Sequence, residues 1–124
     1  MAVQIIKERN TNTINTVKLG ATREEGGTRT STITIGGQAS LPFMHFEGEN
    51  PNRPVIAMEV VDRAPVEWNE EAKKQFEGVL DNPALWAKKC VEEYGADMIF
   101  LRLQSADPEL GNSSPEQCVK TVKD

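Results

Sequence analysis

Apolar residues recur at every second position through the first third of the chain, then give way to continuous apolar runs separated by amphipathic stretches. Val3 with Ile5, Val17 with Leu19 and Ile33 with Ile35 alternate with polar neighbours, the period-2 signature of half-buried strands. Between the last two pairs, residues 20–30 (GATREEGGTRT) are charged, contain glycine and lack helical periodicity. A hairpin with a long tip is the predicted arrangement, closed after its second strand by Gly36-Gly37. Leu41 to Phe46 is apolar and aromatic, interrupted by Pro42, and reads as a packed connector.

After Pro54 the texture changes. Val55 to Val61 (VIAMEVV) is nearly continuous apolar sequence, as expected of a parallel-sheet strand covered on both faces. Asn69 is placed to cap a short helix in which Ala72, Phe76, Val79 and Leu80 share one face. The next helix carries the clearest signals, with Asn82 as N-cap, Pro83 as first helical residue and Gly95 at the C′ position. Its stripe is Trp86, Ala87, Cys90, Val91 and Tyr94, one helical face. A second strand follows over Met98–Leu103, then a polar loop from Ser105 to Ser113. Ser114-Pro115-Glu116-Gln117 opens a further helix with a capping box and proline at its first position, and Cys118 and Val122 begin its apolar face.

Strand, helix, strand, helix with short connections predicts an α/β protein built on a parallel βαβα unit. Two such strands alone would leave edges open and one face uncovered. A closed (βα)8 barrel takes about 250 residues. The expected organisation over residues 1–124 is therefore the N-terminal part of one TIM (βα)8 barrel domain, incomplete as it stands. A hairpin and extended lead-in would occupy residues 1–53, and the first two βα units residues 54–124.

Composition narrows the function classes. The formal net charge is −5, and the basic residues are interleaved with acids rather than gathered into a stripe, which argues against nucleic acid and anionic membrane surfaces as partners. No apolar run approaches the roughly 18 residues of a membrane span, and the N-terminus has no signal-peptide core, so the cytoplasm is the expected compartment. Cys90 and Cys118, the two cysteines, fall on predicted apolar helix faces and read as buried core thiols.

The candidate chemistry is sparse. Gly26-Gly27-Thr28-Arg29 lacks phosphate-loop spacing and any following helix, and reads as the hairpin tip. His45 is the sole histidine and has no neighbouring ligand set, so no metal site is expected. Glu59 and Arg102 each interrupt an apolar strand at its fifth position. Neighbouring barrel strands would bring them together as a buried or half-buried structural ion pair, because an unpaired buried charge costs several kcal/mol. Barrel ligands gather at the carboxyl ends of strands, where Asp62 follows the first strand and Gln104, Ser105 and Asp107 follow the second.

Three stretches, LGATREEGGTRT (19–30), LPFMHFEGENPNRPVIAMEV (41–60) and YGADMIFLRL (94–103), together with the tail PEQCVKTVKD (115–124), resemble the small subunit of the corrinoid iron–sulfur protein, the methyl carrier of the acetyl-CoA pathway of carbon fixation. Archaeal members of that family serve as the delta subunit of the acetyl-CoA decarbonylase/synthase complex. The resemblance implies a TIM barrel that binds no cofactor alone and forms a heterodimer with a large subunit holding a cobamide and a [4Fe-4S] cluster. It implies a non-catalytic role: capping the cobamide while the methyl group passes from methyltetrahydrofolate, through a methyltransferase, to acetyl-CoA synthase/CO dehydrogenase. On that reading Asp62, Gln104, Ser105 and Asp107 face the corrin. Two other readings stand beside it, a pterin-dependent TIM-barrel methyltransferase and an unrelated barrel enzyme with a phosphorylated substrate. Both would be told apart by later strands.

Overall fold

A computed structural model describes residues 3–4, 12–44 and 46–124. Ile5, and with it the first expected alternation, and His45 lie outside the described residues. The chain divides into two compact units, Met1–Val55 and Ile56–Asp124.

In the first unit β1 (Val17–Leu19) pairs antiparallel with β2 (Ile33–Ile35). Val17 lies opposite Ile35 and Leu19 opposite Ile33, so the alternating apolar positions share one face. The tip is a wound loop. The Glu25 carboxylate accepts from the Lys18 ammonium, from Thr22 N–H at 2.9 Å and from the Thr22 hydroxyl at 3.2 Å. Gly27 N–H donates to the Thr22 carbonyl at 2.8 Å and Arg29 N–H to that of Ala21 at 3.0 Å. A Cβ at Gly27 would stand 2.1 Å from the Ala21 carbonyl oxygen, which explains a glycine there. Residues 41–44 depart from expectation. Pro42–Met44 forms a single 3-10 turn, and Leu41 and Phe43 are exposed rather than packed.

The second unit is mixed α/β. β3 (Ala57–Val61) runs parallel to β4 (Met98–Arg102), with Ala57 opposite Met98 and Val61 opposite Arg102. Before and after the helices, local signals set the boundaries. Asn69 caps α1 (Glu70–Gln75) by accepting from Ala72 N–H at 2.8 Å. The helix ends sooner than its apolar spacing suggests: Phe76 is its C-cap, and Gly78 at φ +79° turns the chain out of helical geometry. Phe76, Val79 and Leu80 still pack on the core. Asn82 caps α2 (Pro83–Glu92) through Leu85 N–H at 3.1 Å, and Glu93 is the C-cap. Gly95, two residues past that cap at φ +66°, reverses the chain so that Ala96 N–H reaches the Cys90 carbonyl at 3.0 Å. Ser114 and Gln117 form the expected capping box on α3 (Pro115–Lys123).

α2 packs against β3 and β4, burying Trp86, Cys90, Val60, Val61 and Ala96. Trp86 meets Trp68 edge-on at 5.5 Å between ring centroids and Phe76 at 5.6 Å; Phe76 also contacts Tyr94 at 5.3 Å. Three expectations of burial change here. Val91 on α2 is exposed, and Tyr94, two residues past the end of the helix, is 41% exposed while its hydroxyl donates to the Gln75 carbonyl at 2.8 Å. Cys118 is only half-buried, with Val119 and Val122 exposed beside it. On the sheet face away from α2, Ala57, Glu59, Phe100 and Arg102 are exposed, whereas Val61 at the carboxyl end of the same face is buried.

Candidate functional site

The carboxyl ends of β3 and β4 open into a cleft of about 250 Å³. Its lining includes Glu59, Val61, Arg63, Trp68, Arg102, Gln104 and Leu110, with residues 64–67 forming one side. Glu59 and Arg102 lie on one face of the sheet, diagonally across the two strands, because Glu59 is opposite Phe100 and Arg102 opposite Val61. Arg102 Nε donates to Glu59 Oε1 at 2.7 Å. The pairing expected from the sequence is present, and its side chains are 45% (Glu59) and 53% (Arg102) exposed in this chain, half-buried rather than fully buried. Full burial would take cover over this part of both sheet faces; α2 packs on the other face.

The four strand-end residues separate into distinct roles. Gln104 lines the cleft. Asp62 and Ser105 are spent on each other: Asp62 Oδ1 accepts from Ser105 N–H at 3.0 Å, and Oδ2 accepts from the Ser105 hydroxyl. Asp62 N–H in turn donates to the Arg102 carbonyl at 3.3 Å, extending the parallel ladder by one residue. Asp107 is exposed and winds the loop. Its Oδ1 accepts from Glu109 N–H at 2.9 Å, and its carbonyl accepts from the N–H groups of Leu110, Gly111 and Asn112 at 3.0 Å each.

Two residues of the site escape sequence reasoning. Arg63 Nη1 donates to the Leu110 carbonyl, a tie across 47 positions that no local pattern announces. Trp68 joins the cleft to the core through its contact with Trp86. An isolated tryptophan in a polar segment between a strand and a helix was the available signal.

Chemically, the cleft brings together two guanidinium groups, the carboxylates of Glu59 and Glu67, one amide and one indole. Opposed charges of equal number suit recognition of polar, uncharged groups better than capture of an ion. Cys90 lies away from this cleft, and burial pushes its thiol pKa up, away from the reactive thiolate. Among the described residues no cluster of three or more His, Cys, Asp and Glu side chains is arranged to hold a metal ion, and no helix is long and apolar enough to cross a membrane.

Residues 16–124 match the family model of the CO dehydrogenase/acetyl-CoA synthase delta subunit. The acetyl-CoA decarbonylase/synthase complex subunit delta of Archaeoglobus fulgidus is 44% identical over 118 residues, covering 95% of this chain and 26% of the relative. That of Methanocaldococcus jannaschii is 37% identical over 111 residues, covering 90% of this chain and 27% of the relative. Subunit delta 1 of Methanosarcina thermophila is 35% identical over 114 residues, covering 92% and 26%. The chain thus spans about a quarter of the length of the curated relatives it matches. The family match begins just before β1 and runs through the cleft to the end of α3, and on that basis the chain belongs to the CO dehydrogenase/acetyl-CoA synthase delta subunit family.

Proposed function

We propose that this chain contributes the hairpin and first two βα units of a TIM (βα)8 barrel subunit with no chemistry of its own, and that its strand-end cleft faces a cobamide held by a large partner subunit. The setting is methyl transfer from methyltetrahydrofolate to acetyl-CoA synthase. Family membership supports the setting. The observation that carries the site is the placement of Gln104 at the carboxyl end of β4, lining a cleft beside Arg102.

A corrin rim presents amide side chains, and the residues present fit such a group in part. The Gln104 amide can both donate and accept, and Arg102 has donors beyond the Nε engaged by Glu59. Asp62 and Ser105 already satisfy each other, so they serve the rim by position rather than by direct contact. The cobamide, when bound, supplies the metal that carries the methyl group. The residues of this chain orient its rim and exclude water from one side.

The test uses the complete subunit assembled with its large partner. Gln104→Ala is expected to leave heterodimer assembly intact while changing the rate of cobalt reduction or of methyl transfer. Wild-type rates in a fully assembled complex would overturn the assignment of this cleft.

A further inference from the structure

The loop after β4, residues 103–113, is tied to the end of β3 at two separate points. Asp62 holds Ser105 through both carboxylate oxygens, and its neighbour Arg63 holds the Leu110 carbonyl. Both ties have an ionised partner, which makes them stronger than neutral hydrogen bonds. Between those points the loop closes on itself. Ser113 N–H donates to the Ser105 carbonyl at 2.8 Å, and the Asp107 carbonyl gathers three N–H groups. Gly111 packs so closely that a Cβ there would stand 3.0 Å from the Ser105 carbonyl oxygen. A loop pinned at one point can swing about it; a closed loop pinned at two points, five residues apart, cannot. Gln104 and Leu110, which line the cleft, each sit at or beside one of the pins.

The geometry points to Asp62 and Arg63 as positioning residues that hold the 103–113 loop as a fixed wall of the cleft, so that a docking partner meets a preformed surface. What docks is the cobamide-bearing surface proposed above, and the inference rests on that reading for the partner; the latch itself rests on the hydrogen bonds. Holding the wall in advance removes the ordering cost that a loop closing on its partner would incur at the moment of binding.

Amide hydrogen exchange on the complete subunit tests the latch. Asp62→Ala with Arg63→Met is expected to speed exchange over residues 104–113 by about tenfold or more, leaving β3 and β4 peptides nearly unchanged. Asp62→Asn is expected to stay near wild type. Its Oδ1 still accepts from Ser105 N–H, and the Ser105 hydroxyl can rotate to accept from the new amide. Arg63→Met alone, which leaves Asp62 in place, gives the smaller loosening at the Leu110 end. Unchanged loop exchange in the double variant overturns the latch, and so does equal acceleration in the sheet, which would make both residues general supports of the fold. In the assembled complex, a loosened loop with unchanged affinity for the large subunit overturns its role in docking. If instead the latch variants weaken docking while Gln104→Ala leaves the corrin absorbance and transfer rate at wild type, the latch stands and the cobamide-facing assignment fails.

Discussion

At the scale of single residues, water decides what each charge is worth. Glu59 and Arg102 sit 2.7 Å apart with about half of each side chain in solvent, where an ion pair contributes about 0–1 kcal/mol. A double-mutant cycle on this chain with Arg102→Met and Glu59→Gln should therefore give a coupling below about 1 kcal/mol that shrinks as salt is raised. A coupling of several kcal/mol would show the pair to be desolvated. Trp86 is the opposite case, fully buried against Val60 and Cys90. Trp86→Ala should cost about 3–5 kcal/mol in urea unfolding followed by far-ultraviolet circular dichroism. Glu25 offers a pH prediction. The hydrogen bond from Lys18, with that from Thr22 N–H, holds its carboxyl down at about 2. Because the folded value lies below that of an unfolded glutamate, its support of the hairpin tip is complete above the ordinary carboxylate range and is lost as pH falls toward about 2. An NMR titration of the Glu25 side chain should show that low midpoint, and Lys18→Met should raise it.

Helices and strands were legible from the sequence where their signals are local. Asn82-Pro83 and Ser114-Pro115 with Gln117 act over three or four residues, and both caps stand where they were expected. Ser114→Ala should cost about 1 kcal/mol and fray α3, seen as faster exchange of its first-turn amides. Apolar spacing alone was a poorer guide. It carried α1 past Gly78, because the same side chains reach the core from a turn as from a helix. Burial was the least legible property. Tyr94, Val91, Cys118 and the Glu59–Phe100 face of the sheet are apolar or sit within apolar runs, yet what covers them depends on neighbours that no local pattern encodes. The site divides likewise. Gln104 is placed by its position after a strand, whereas the Asp62–Ser105 and Arg63–Leu110 ties are long-range pairings of common residue types.

For the whole molecule, the parallel pair of β3 and β4 leaves each strand with an outer edge unpaired among the described residues. Edges of that kind recruit other chains. This chain at increasing concentration should therefore show self-association in sedimentation velocity. A sharply melting monomer at high concentration would count against open edges as its dominant surface property. Purified chain is also expected to take up no stoichiometric iron, zinc or cobalt. Elemental analysis after chelation checks this, and about one metal per chain would refute it.

The aromatic cluster has a consequence for how such melts are read. Both tryptophans and the single tyrosine of the chain fall between residues 68 and 94, all in the unit that begins at Ile56. Trp68 and Trp86 lie nearly perpendicular at 5.5 Å, close enough to couple as chromophores. Tryptophan and tyrosine emission, and the dichroic bands of those two residue types, therefore observe the Ile56–Asp124 unit. The hairpin and its glutamate-held tip are optically silent at those wavelengths. A transition that looks two-state by tryptophan fluorescence is therefore observed from probes in the βα units, and a probe placed in the hairpin is needed to follow the first unit.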